Sequence, residues 1–106
     1  MEMTYNEMIT YNGIIRDFDL VISEFEIFTF NLLIECEYGF VNFGNWKFSD
    51  GKLEAFVHDL MNLLGVTEAY KIHNSTIRFG YDEMGNPRIG HLFRDEWLDY
   101  KDYMKG

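Results

Sequence analysis

The sequence has 106 residues, of which 47% are hydrophobic and 18% aromatic, and this composition excludes a disordered tail and predicts one folded domain over residues 1–106. Eighteen acidic residues against nine basic ones give a net charge of −9, which argues against direct binding to nucleic acid or to an anionic membrane, since both need basic side chains. The chain has one cysteine, no secretory leader pattern and no apolar run long enough to span a membrane, so we expect a cytoplasmic protein.

The acidic residues are concentrated in the first part of the chain. Residues 1–46 contain eight acids and one base, a net charge of −7, whereas residues 47–106 contain ten acids and eight bases. This asymmetry predicts a one-sided electrostatic surface, provided that the N-terminal elements present their carboxylates together.

The first half of the chain is predicted to form three strands. Residues 13–23 and 28–36 alternate between apolar and polar side chains, which is typical of half-buried strands, and the second of these patterns is the strongest in the chain. Residues 40–48 are also strand-like, with Gly44 indicating a bulge or a close backbone approach.

A hairpin of the first two strands would gather carboxylates on its outer face. If their apolar faces coincide, the facing pairs are Ile22 with Phe28, Asp17 with Leu33, and Asp19 with Asn31. Four acids then point outward: Asp17, Asp19, Glu35 and Glu37. The same parity places three apolar residues among them, as the centre of a candidate interface: Ile15, Val21 and Leu33.

The second half predicts a helix, a second hairpin and a short final helix. Apolar spacing indicates a helix over residues 50–64, with an N-cap oxygen from Ser49 or Asp50 and Gly65 at its end. Strands are predicted over 76–82 and 88–94, separated by the turn 83–87. Residues 95–104 can be drawn as a helix with three acids on one side: Asp95, Asp99 and Asp102. The resulting fold class is α+β, an antiparallel sheet of about five strands with one main helix packed on it and a short C-terminal helix.

Motifs for common enzymatic chemistry are missing from the sequence. There is no phosphate-binding glycine loop with lysine, no G-x-S-x-G, no H-E-x-x-H and no C-x-x-C. Cys36 falls on the apolar side of its strand, which favours a buried, unreactive thiol. We expect no cofactor, although His73 and His91 with nearby carboxylates leave a zinc-binding protein as one alternative.

Several short motifs in the last two thirds of the chain resemble a known group of proteins. They are Phe43-Gly44, Leu63-Leu64-Gly65-Val66, Ile77-Arg78-Phe79, Ile89-Gly90-His91 and Asp95-Glu96-Trp97-Leu98. The sequence resembles small, mostly uncharacterised proteins of phages and mobile elements of Gram-positive bacteria over about 60 of the 106 residues. In size, acidity and phage-like character it is similar to anti-CRISPR proteins, several classes of which occupy nucleic-acid sites on effector nucleases.

These observations predict a non-enzymatic inhibitor in the cytoplasm of a host bacterial cell. Its partner would be the basic nucleic-acid-binding surface of a host defence nuclease, most plausibly a CRISPR effector, which it would block by nucleic-acid mimicry. The predicted partner-binding residues are Asp17, Asp19, Glu24, Glu26, Glu35, Glu37, Asp95, Asp99 and Asp102. An immunity protein or antitoxin against a basic toxin nuclease is the alternative that relies on the same physics.

Overall fold

The computed structural model describes residues 10–22, 28–49 and 51–104, so the predicted site residues Glu24 and Glu26 and the predicted cap Asp50 lie outside the described residues. The elements in chain order are β1 (Thr10–Ile22), β2 (Phe28–Cys36), β3 (Gly39–Phe48), α1 (Lys52–Leu64), a 3₁₀ turn (Ala69–Ile72), β4 (Thr76–Tyr81), β5 (Pro87–Gly90), β6 (Trp97–Asp99) and α2 (Lys101–Met104). All neighbouring strands are antiparallel, in the order β3-β2-β1-β4-β5-β6. The predicted α+β class is confirmed, with six strands among the described residues in place of about five.

The hairpin of β1 and β2 has the predicted pairing. Its register includes Ile22 with Phe28, Asp17 with Leu33, and Asp19 with Asn31. β1 begins at Thr10, earlier than predicted, because Thr10–Ile14 pairs with β4 on the other side. β1 therefore pairs with β4 over Thr10–Ile14 and with β2 over Ile14–Ile22.

A β-bulge at Arg16 changes the side of β1 that faces the core. The register shifts between Ile15 and Asp17, so Ile15 lies opposite Ile34 and is fully buried. The prediction that Ile15 lies on the outer face is therefore wrong. A prediction from the alternation of apolar and polar residues cannot detect a β-bulge. One extra residue in a strand moves the side chains on one side of the bulge to the opposite face of the sheet.

The sheet is strongly curled, and its concave side holds the core. Phe43 of β3 contacts Phe79 of β4 with 5.2 Å between ring centroids, although β2 and β1 lie between these two strands in the sheet. Helix α1 covers this concave side through Phe56, Leu60 and Leu63, all of which are buried. The opposite, convex side of the sheet is the outer face.

Helix α1 is flanked by a glycine on each side, Gly51 before it and Gly65 after it. Gly51 occupies the N-cap position with a φ of 82° and no side chain caps the helix, so the prediction that Ser49 supplies the capping oxygen is wrong. Gly65 ends the helix in the left-handed conformation, as predicted, and its N–H donates to the carbonyl of Asn62. Glu54 and His58 are exposed, also as predicted.

The predicted helix over residues 95–104 is wrong. Residues 97–99 form β6 instead, which pairs with β5 and places Trp97 opposite Gly90. A strand of three residues is too short to show an alternating pattern. The preceding strand β5 ends at Gly90 and does not reach Arg94, since the guanidinium of Arg78 donates to the carbonyls of His91 and Arg94 and holds this segment as a loop.

Tyr100 joins the two ends of the curled sheet. Its hydroxyl accepts from the backbone N–H of Lys47 in β3 and donates to the carbonyl of the same residue, both at 2.8 Å. Tyr100 follows directly after β6, the strand at the opposite end of the sheet. The outer edge of β3 is therefore covered at Lys47.

The substitution Tyr100→Phe removes this bridge and leaves the ring in place. We expect a loss of about 1 kcal/mol in the free energy of unfolding, measured by urea denaturation, because water replaces part of the two hydrogen bonds. Tyr70→Phe is the matched control, since Tyr70 is 67% exposed, and should change stability by less than about 0.5 kcal/mol. Equal effects of the two substitutions would contradict the bridge.

Candidate acidic interface

Three of the predicted site residues share the outer face of the β1–β2 hairpin. Asp17 and Asp19 point outward from β1, opposite Leu33 and Asn31, and Glu35 points outward from β2, opposite Ile14. We call this surface, with Asp17, Asp19 and Glu35, the acidic face. Because successive outward residues of a strand lie about 6.6–6.8 Å apart, Asp17 and Asp19 form a row of negative charge.

Asp17 is held by two hydrogen bonds to its oxygen Oδ1. Its Oδ1 accepts from the backbone N–H of Phe18 at 2.9 Å and from Nε2 of His73 at 3.1 Å. The bond from His73, followed by that from Phe18, lowers the pKa of the Asp17 carboxyl below its ordinary value, so this group stays ionised at neutral pH. The His73 ring also lies 4.9 Å from the ring of Phe18. Asp17 therefore has a structural role in addition to its charge.

The negative charge of Glu35 is partly neutralised by Arg16, the residue at the β-bulge of β1. Nε of Arg16 lies 2.7 Å from Oε1 of Glu35, and Nη1 of Arg16 donates to the side chain of Asn74 at 2.8 Å. Arg16 and Glu35 are each about 40% exposed, so water screens this ion pair. The bulge thus turns the basic side chain of β1 toward the acidic face.

Asp19 is the acid of this face with the fewest internal contacts. It is exposed, and it forms no ion pair within the part of the chain that the structure describes. A shallow depression of about 420 Å³ lies next to it and is lined by five outward side chains: Asp17, Asp19, Asn31, Leu33 and Asn42. Val21, on the same face of β1, is 49% exposed. Carboxylates, amides and exposed apolar groups therefore lie side by side, as they do in protein interfaces.

The other predicted acids do not extend this surface. Glu37 is exposed in the turn between β2 and β3. The predicted row of three C-terminal acids does not form: Asp95 accepts from Trp97 Nε1 in a loop, Asp99 lies 2.6 Å from Arg88 Nε and is mostly buried, and Asp102 is exposed on α2. The row was predicted on a helix, and the strand β6 separates its members.

Sequence reasoning missed a cationic cluster on the outer face of β4, β5 and β6. The guanidinium carbons of Arg78 and Arg88 lie 4.7 Å and 4.3 Å from the centroid of the Trp97 ring. The ring packs over Gly90, where an added Cβ would lie 2.6 Å from it. The outer face is thus acidic over β1 and β2 and bears arginines over β4 and β5.

The two histidines that were considered as metal ligands, His73 and His91, have separate surroundings. His73 contacts Asp17 and Phe18, whereas Nδ1 of His91 accepts from the backbone N–H groups of Phe93 and Arg94. Cys36 is half-buried at the end of β2. Among the residues with described positions, no three His, Cys, Asp or Glu side chains are grouped to hold a metal ion.

Comparisons with protein-family models, with curated proteins and with solved structures found no match to this chain. The similarity to phage-borne proteins therefore stays a prediction. Over residues 10–22, 28–49 and 51–104, no helix is long and apolar enough to cross a membrane.

Proposed function

We propose that this protein is a non-catalytic inhibitor that binds the nucleic-acid-binding surface of a basic nuclease through its acidic face. The observation that supports the proposal most directly is the exposed pair Asp17 and Asp19 on one side of β1. Their spacing of about 6.6–6.8 Å is comparable to that of successive phosphates along one nucleic-acid strand. A lysine- and arginine-rich channel could therefore meet a similar arrangement of negative charge.

The charge of the whole chain favours the same partner. A net charge of −9 attracts a basic protein over long distances and raises the association rate at low ionic strength. On contact, the carboxylates would pair with lysine and arginine side chains that otherwise bind phosphate groups. Val21 and Leu33 lie on the same face and would supply apolar contact between the charged groups.

The partner class that we favour is a CRISPR effector nuclease. This choice follows from the resemblance of residues 43–98 to proteins of phages and mobile elements, together with the small size and acidity of the chain. Such an inhibitor would work in the cytoplasm of the host bacterium. It would block DNA or RNA binding by occupying the site, so inhibition would be stoichiometric and would compete with the nucleic acid.

The direct test is Asp19→Lys, because Asp19 carries charge with the fewest internal contacts. Binding to purified CRISPR effectors with guide RNA, and to basic toxin nucleases, is measured by calorimetry, and target cleavage is measured beside it. We expect the unchanged protein to bind a CRISPR effector at micromolar concentration or below. Asp19→Lys should weaken this binding at least about tenfold, since a like charge would then face the basic surface.

Glu54→Lys is the matched control, since it makes the same change in net charge on an exposed position of α1, on the other side of the sheet. It should weaken binding by less than about threefold at 150 mM salt, where distant charges are screened. Asp17→Asn removes a charge while keeping an oxygen for the Phe18 N–H. Absence of binding to every CRISPR effector, or equal losses for Asp19→Lys and Glu54→Lys, would refute the proposal, and binding to a toxin nuclease alone would favour the antitoxin alternative.

A further inference from the structure

Exposed tyrosines surround one end of the curled sheet. Tyr38 lies in the turn between β2 and β3, before Gly39 at φ 110°, and is 77% exposed. Tyr11 at the start of β1 is 38% exposed and Tyr81 at the end of β4 is 49% exposed. We call Tyr11, Tyr38 and Tyr81 the tyrosine patch.

These rings rest on a rigid support. The Tyr38 and Tyr11 rings meet edge to face with 6.1 Å between centroids, and Tyr11 lies 5.7 Å from Phe79. Phe43 lies 5.2 Å from Phe79 and 5.5 Å from Tyr81. Because Phe43 and Phe79 are buried in the core, the patch is held in place before any partner arrives. Rigid exposed aromatic rings of this kind are the usual anchors of protein interfaces.

The charge beside the patch is negative. Glu37 is exposed in the same turn as Tyr38, and its carboxylate is the main reason why the pKa of Tyr38 is raised above its ordinary value. Glu83, also exposed, lies two residues after Tyr81. A second copy of this chain would bring more negative charge to this place, with a net charge of −9 on each chain, and is therefore a poor occupant.

We propose that the tyrosine patch binds arginine side chains of the basic partner. A planar guanidinium can stack on a tyrosine ring and at the same time pair with a carboxylate such as Glu37, which a lysine ammonium does less well. The inference rests on the proposed function and adds a second contact region, at the tip of the β2–β3 hairpin. The acidic face supplies charge, and the patch supplies the preference for arginine.

The test uses two labelled peptides of equal charge, nona-arginine and nona-lysine, with the full chain at 150 mM salt. Affinity is measured by fluorescence anisotropy, and the tyrosine ring signals are followed by NMR. We expect nona-arginine to bind more tightly than nona-lysine and to shift the signals of Tyr11 and Tyr38. Tyr38→Ala should weaken nona-arginine binding about three- to tenfold, whereas Tyr38→Phe should keep it, because stacking needs the ring and not the hydroxyl.

Tyr70→Ala is the matched control, since Tyr70 is 67% exposed in the 3₁₀ turn and away from the patch. It should leave both affinities unchanged. Equal affinities for the two peptides, or equal effects of Tyr38→Ala and Tyr70→Ala, would overturn the inference. If Tyr38→Ala binds the nuclease normally while Asp19→Lys does not, the patch proposal fails and the proposed function stands. If no basic nuclease binds while the protein still prefers nona-arginine through Tyr38, the proposed function fails and the tyrosine patch stands as an arginine-binding site.

Discussion

Phe56→Ala is expected to remove about 3–5 kcal/mol from the free energy of unfolding, which is a large part of the stability of a small domain. Phe56 is fully buried on α1, and its ring lies 4.6 Å from Trp46, 4.9 Å from Phe48 and 5.3 Å from Tyr103. Truncation would leave a cavity between the helix and the sheet that these large rings cannot fill. Urea denaturation followed by circular dichroism measures the change.

The control for Phe56→Ala is His58→Ala, two residues further along the same helix at an exposed position. It should alter stability by no more than about 0.5 kcal/mol. Phe56→Leu keeps most of the volume and should lie between the two. A Phe56→Ala protein within about 1 kcal/mol of the original would contradict the packing of α1 on the concave side of the sheet.

Gly13→Val is the second substitution with a large expected effect, a loss of at least about 3 kcal/mol or failure to fold. A Cβ at Gly13 would lie 2.4 Å from Cγ2 of Ile34, 2.9 Å from Cε1 of Phe79 and 3.2 Å from the carbonyl oxygen of Glu35. Ile34 and Phe79 are buried in the core and the third neighbour is a backbone oxygen, so none of the three can move away without disturbing the core. Thermal denaturation and the yield of folded protein report the outcome.

Asn12→Ala is the control for Gly13→Val, since Asn12 is exposed at the neighbouring position of β1. A small effect is expected there, within about 0.5 kcal/mol. Gly13→Ala should already be destabilising, because the short contacts are made by Cβ itself. Full stability of Gly13→Ala and Gly13→Val would show that β1 does not pack this closely against Ile34 of β2 and Phe79 of β4.

Most of the sheet could be predicted because period-two alternation follows directly from strand geometry. The pairing of Asp17 with Leu33 came from that alternation and was confirmed. The bulge at Arg16 and the short strand β6 could not be predicted, because one inserted residue or three paired residues leave no periodic signal. The close packing at Gly13 was also missed. A glycine in a sequence does not show that Ile34 and Phe79 lie against it in the folded sheet.

The candidate site was predictable only in part. Parity assigned Asp17 and Asp19 to the outer face, but their surroundings depend on residues that are distant in sequence. His73 reaches Asp17 from 56 positions away, and Arg78 and Arg88 meet Trp97 only because three strands lie side by side. The tyrosine patch has the same origin, because only the folded sheet brings Tyr11 next to Tyr38.

The bridge from Tyr100 to Lys47 also bears on how the edge of the sheet is protected. It joins positions 53 residues apart, so the N–H and carbonyl of Lys47 at the outer edge of β3 have these two partners only when residue 100 has reached its folded position. Unpaired strand edges are templates for association with other chains. A chain that lacks Tyr100 would therefore keep an exposed pairing site on this edge of β3, and we expect it to associate with other chains more readily than the full chain does.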